Sequence, residues 1–198
     1  MPFTPLHMGP GMAVKAVIPR YFSIVVFGLT QITLDLEAAW HMSRHEYPFH
    51  TFWHTYFGAS LVAVGLTVLG KPASQWVKTA WNCIAAKCHY AILTVSTPTT
   101  WTASFSGAMI GTYSHILLDS LFHPDMEPLQ PWSPANRFHG VVEPHGIELL
   151  CIVLGVVGLV WFFGRESKIK NADKASHATS EPLAGADSSA REDSTLND

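Results

Sequence analysis

Residues 147–164 read IELLCIVLGVVGLVWFFG, eighteen positions with a single charge, Glu148, followed by Arg165, Lys168 and Lys170. A helix of that length and character is close to what is needed to cross the roughly 30 Å hydrocarbon core of a bilayer. Residues 21–36, 53–70 and 101–122 are similarly apolar, each with polar residues near one end. Before Arg165 the chain carries only seven Lys and Arg and eight Asp and Glu. That is far below the roughly one-quarter charged content of a soluble domain, and it leaves little to give each helix a water-facing side. The expected fold is therefore all-α, a polytopic helical membrane bundle over residues 1–164. Residues 165–198 are rich in Ser, Ala, Asp and Lys and lack apolar periodicity, which predicts a disordered polar tail.

Several function classes drop out on composition. The net charge of -3 gives no basic face for nucleic acid, and no Gly-rich phosphate loop is present. Cys83, Cys88 and Cys151 are odd in number and sit in apolar segments. They are expected to be reduced packing residues, neither a disulfide frame nor a CxxC metal site. The opening MPFTPLHMGPG has no basic stretch and no small-residue cleavage site, so it is not expected to be a signal peptide.

The charges that remain are segregated. Every acid before the tail falls within residues 35–54, 115–127 or 139–148, and these windows also hold eight of the ten histidines there. Each window lies at the end of an apolar segment or in a loop joining two. Imidazole and carboxylate gathered in this way suit zinc or a similar divalent ion. Charge asymmetry points to the same arrangement. If 21–36 and 101–122 run outward while 53–70 and 147–164 run back, the acid–histidine windows share one face. Lys71, Lys78, Arg165, Lys168 and Lys170 then fall on the other, which the positive-inside rule makes cytoplasmic. This requires 76–96 not to cross the bilayer but to lie at its interface or re-enter. Residues 5–18 would form a short helix dipping inward, returning His7 to the acidic face and leaving Lys15 and Arg20 inside.

Individual residues carry different weight. In GTYSHILLDSLFHPD, His115, Asp119 and His123 recur every four residues and would stack on one helical face. A buried Asp at a membrane edge needs a cation or several donors, so His115 and Asp119 are the strongest ligand candidates. His50 and His54 form an HxxxH pair that fits a metal or an aromatic interface equally well. Asp35 and Glu37 are two apart and cannot both point to one place on a helix. One is expected to ligate, the other to orient a ligand or act as a base. His145 and Glu148, at i,i+3, are candidates to complete a further site with His123. His41, His45, His89 and His177 are expected to be solvated or packing residues.

The TPLHMGPG opening, the DLE, the HTFWHT and the GTYSHILLDSLFHPD together resemble the bacterial YdjM-like family of predicted membrane-bound metal-dependent hydrolases. The resemblance covers about residues 2–132. That family is considered distantly similar to zinc-dependent phospholipase C and the single-strand-specific zinc nucleases, whose ligands follow the order His7, Asp35, His50, His115, Asp119, His123 here. His145 and Glu148 come last, with one residue fewer between them than in those enzymes. The resemblance implies one metal on Asp35, His50, His115 and Asp119, and a second sharing Asp119 with His7.

The function expected is membrane-bound, metal-dependent hydrolysis of a phosphoester by activated water. It would use one to three zinc-type ions, with Glu37 and Asp119 in catalytic roles and a small-molecule or lipid phosphoester as substrate. The location expected is the bacterial inner membrane, with the site on the non-cytoplasmic face against membrane lipid. The rival is a non-catalytic membrane protein with a structural metal or a metal-handling role. A metal carrier would need ionisable groups along its spans, yet 59–69 and 149–160 have none, which favours a surface site over a conduit.

Overall fold

The computed structural model describes residues 4–88 and 98–165. Among the described residues it is all-helical, with no strand. The helices are α1 (Thr4–Val17), α2 (Ile24–Ser43), α3 (Tyr56–Lys87), α4 (Trp101–Phe122) and α5 (Pro144–Arg165), with a single 3-10 turn at Phe52–His54. Chain contacts divide it into two units, Met1–Leu159 and Val160–Asp198. Of the second, only 160–165 is described, as helix. Apart from Arg165, which is helical, the expected tail lies outside the described residues, as do His89 and His177.

Hydroxyl side chains fix where the helices begin. Ser23, Thr55 and Thr100 occupy the N-cap positions of α2, α3 and α4, accepting the amides of Val26, Gly58 and Ala103. Each satisfies one amide that a helix start would otherwise leave unpaired. Within the first unit, α2 and α4 run parallel, since Gly107 meets Ser23 and Val26 while Gly111 meets Phe27 and Thr30. A Cβ at Gly111 would overlap the Thr30 hydroxyl, so glycine is what permits this approach. α3 runs against both, with Gly70 on Val26, the Ser104 hydroxyl on the Thr67 carbonyl at 2.8 Å, and Ser60 on Tyr113 at 2.8 Å. α1 also runs against α2: His7 is beside Asp119, Gly11 beside Phe27, and Lys15 reaches the carbonyls of Pro19 and Phe22. The short helix expected at 5–18 is thus present, at Thr4–Val17, and His7 lies at the end of the bundle that holds His115 and Asp119.

Expectation and structure part company at α3. Residues 53–70 and 76–96 were expected as separate segments, but Trp76 to Lys87 continues one 32-residue helix through Pro72. A helical proline costs one hydrogen bond and some steric strain, and here the helix continues through it; residues 89–97 lie outside the described residues.

Polar side chains share the interior with apolar ones. Buried positions include Thr30, Gln31, Ser74, Ser104, Thr112 and Ser120, interleaved with small apolar clusters such as Leu34, Ala59, Ile116 and Met126. Many large aliphatic residues point outward, among them Leu61, Val64, Val68 and Leu69 on α3 and Leu149, Val153 and Val156 on α5. Two helices, α3 and α5, are long and apolar enough to cross a membrane, with best windows of mean hydropathy 1.3 and 2.4. α4 coincides with the expected 101–122, whereas α2 starts three residues later than the expected 21–36 and runs on to Ser43; neither is among the two, and inward-facing polar side chains such as Gln31, Thr112, His115 and Asp119 lower their hydropathy.

Candidate metal centre

The acid–histidine windows converge at one end of the bundle. Asp35 and Glu37 come from the C-terminal half of α2, His54 from the 3-10 turn, His115 and Asp119 from the end of α4, and His7 from the start of α1. Asp35, His54, His115 and Asp119 each bring a ligand atom within 4.8 Å of the others. His115 Nε2 lies 3.0 Å from Asp119 Oδ2 and 3.5 Å from Asp35 Oδ1. His54 Nε2 lies 3.8 Å from Asp119 Oδ2, and His7 Nε2 3.6 Å from Asp119 Oδ1. Tetrahedral ligands at about 2.0–2.1 Å from zinc stand about 3.3 Å from one another. The observed spacings of 3.0–3.8 Å would fit ligands around one ion.

The tautomers are set from behind. Gln31 Nε2 donates to the Gly111 carbonyl at 3.0 Å, which turns Gln31 Oε1 toward His115 Nδ1 at 2.8 Å. His115 therefore carries its proton on Nδ1 and presents the Nε2 lone pair. Glu37 does the same for His54, accepting its Nδ1–H at 2.8 Å together with the Thr51 hydroxyl and the Trp53 amide. A ligand imidazole held through its other nitrogen is the usual outer-shell arrangement of a metal site. Both nitrogens of His7 and the Nε2 atoms of His54 and His115 are buried without a hydrogen bond. The 3.0 Å contact of His115 with Asp119 is off hydrogen-bonding geometry, so proximity alone does not satisfy it. Buried polar atoms almost always have a partner. The three Nε2 atoms lie within 4 Å of an Asp119 oxygen, and a cation among them would account for these three, though not for His7 Nδ1; a His and Asp donor set fits zinc or a similar ion.

A second group adjoins the first. His50, His123 and Asp125 also bring ligand atoms within 4.8 Å of one another. The His50 ring lies 4.8 Å from that of His54 and 4.3 Å from that of His123. Burial would raise the Asp125 carboxyl, but His50 and the Phe49 and His50 amides outweigh it and hold it below the usual carboxylate range. Burial, with His50 beside it, pushes the His123 imidazole down, which keeps the ring neutral.

Two assignments need correction. His50 does not join Asp35, His115 and Asp119; His54 does. HTFWHT is not an α-helix here: Thr51 leaves helical geometry and the 3-10 turn follows, so the two histidines diverge to different carboxylates. His145 and Glu148 join neither group. They pair with each other at 3.5 Å, with the His145 side chain 87% exposed. The buried face of α5 is set by Ile147 and Cys151, which leaves His145 in the open first turn. Gln31 and Asp125 escaped the sequence reasoning. The spacing of Gln31 four residues before Asp35, on one face of α2, was the available signal for the first. For Asp125 it was a carboxylate two residues after a candidate ligand.

Set against protein-family models, curated proteins and solved structures, the chain finds no match in any of the three.

Proposed function

We propose that this protein is a membrane-bound, metal-dependent hydrolase of the kind its motifs resemble, acting on a phosphoester through metal-activated water. The observation that carries the reading is the set of buried, hydrogen-bond-free imidazole nitrogens of His7, His54 and His115 around Asp119 and Asp35. Asp35, His54, His115 and Asp119 would hold the ion, with His7 on the free side of Asp119. A bound divalent ion supplies a water acidified toward pKa about 7 and a Lewis acid for a phosphoryl oxygen. Glu37, committed to His54 and the Trp53 and Thr51 donors, acts by orienting that ligand. Substrate would approach on the side of the Asp35 carboxylate, whose side chain is 35% exposed.

Outward-facing aliphatic residues on α3 and α5 support a polytopic bundle in lipid. The exposed Trp40, Trp53 and Trp132 near the centre suit the headgroup layer. With Lys15, Lys71, Lys78 and Lys87 toward the opposite end, the centre would lie on the non-cytoplasmic face of a bacterial inner membrane, where a lipid phosphoester is within reach.

The near-complete burial of His54 and His115 favours one competing reading, a closed structural metal. A screen of phosphomonoesters, phosphodiesters and phospholipids with zinc or manganese separates the two. Hydrolysis present in the wild type and absent in Asp119→Asn supports the enzyme. A tightly held ion with no turnover of any phosphoester supports the structural role.

A further inference from the structure

The geometry points to a second divalent-cation position, built from His50, His123 and Asp125, that loads separately from the buried centre. The inference rests on the first centre being a metal site, and it adds a position with its own ligands and a different exposure.

Asp125 follows α4 by three residues, and its Oδ2 accepts three hydrogen bonds: from the Phe49 amide at 3.0 Å, the His50 amide at 3.3 Å and His50 Nδ1 at 3.0 Å. The 3.0 Å between His50 Nδ1 and Asp125 Oδ2 is also the spacing of two ligands on one ion, so a cation here would take the place of the proton the pair shares. His50 and Asp125 are buried, at 5% and 6% side-chain exposure, so this arrangement is not a loose surface cluster. His123 is fixed at both ends of its backbone, its amide donating to the Asp119 carbonyl at 2.8 Å and its carbonyl accepting from Asn136 Nδ2 at 3.3 Å. Its ring is thereby held against His50.

Two imidazoles and one carboxylate are enough ligands for an ion that keeps an open coordination position. His123 is partly exposed, whereas His54 and His115 are wholly buried. One protein carboxylate and an accessible edge make this the weaker, exchangeable position. The buried centre, with two carboxylates, is the tighter one.

The test is a metal titration of the full-length protein in detergent, stripped with chelator and titrated with cobalt(II), with bound metal counted by elemental analysis. Wild type should take up two equivalents, one removed by dialysis far more readily than the other. His123→Ala and Asp125→Asn should each lose the readily removed equivalent and keep the other, whose retention also reports a folded bundle. His115→Ala should show the converse. Two equivalents retained in both His123→Ala and Asp125→Asn would overturn the second position. So would a wild type that binds a single ion lost in His115→Ala, which leaves the first centre standing. Wild type that binds no cobalt at all would remove both.

Discussion

Single atoms decide the chemistry here, because the imidazoles of His54 and His115 have their protons placed by residues standing behind them. Gln31 and Glu37 perform this task differently. Gln31 is a neutral acceptor fixed by the Gly111 carbonyl, whereas Glu37 is a carboxylate accepting from Thr51, Trp53 and His54. Gln31→Leu should leave His115 free to take the wrong tautomer and should weaken metal affinity by roughly 10–100-fold, the usual loss for such partners. Glu37→Gln can still accept from His54 Nδ1 but loses its charge, so its loss of affinity should be the smaller. Competition against a metal buffer measures both, and unchanged affinity in Gln31→Leu would contradict the tautomer argument. The importance of Asp119 was legible in the sequence, since a carboxylate buried in an apolar helix, four residues after a histidine, demands a cation or several donors. The role of Gln31 was not, because an uncharged polar residue in an apolar segment becomes meaningful only once α2 and α4 are known to touch.

At the scale of the helix, the centre depends on how closely α2 and α4 approach, since one carries Asp35 and the other His115 and Asp119. Gly111 sets that approach. Alanine there would gain about 1 kcal/mol in helix propensity but would be forced against the Thr30 hydroxyl and near the Phe27 Cα. Overpacking of that kind costs about 1–3 kcal/mol. Gly111→Ala should therefore lower both thermal stability and metal occupancy. Gly65→Ala, where an added Cβ would meet nothing beyond its own helix within 4 Å, should leave both unchanged or raise stability slightly; a thermal melt with parallel metal analysis compares them. The directions of α1, α2 and α4 were foreseeable from charge, because Lys15 and His7 had to reach opposite ends. The unbroken α3 was not: Gly70 and Pro72 are ordinary stop signals, and whether a helix continues through them is decided by its neighbours. The same holds for HTFWHT, whose HxxxH spacing suits a helix that the local chain does not form.

Taken as a whole, the molecule sorts its charges by end, and that sorting predicts orientation. α3, at 32 residues, measures about 48 Å, well beyond the roughly 30 Å hydrocarbon core. Its last turns, with Lys78 and Lys87, would then emerge on the side away from the centre. Cys83 and Cys88 are exposed there, while Cys151 is buried. A membrane-impermeant maleimide applied to intact cells should label Glu46→Cys, near the centre, and should reach Cys83 and Cys88 only after permeabilisation. Equal labelling before permeabilisation would contradict the topology. Beneath every other prediction is the claim that the buried imidazoles surround an ion, and the metal content of the purified, extensively dialysed protein tests it most directly. Near-stoichiometric zinc or a similar divalent ion is expected in wild type, with most of it lost in His115→Ala and Asp119→Ala. A wild-type protein that is folded and free of metal would contradict the account.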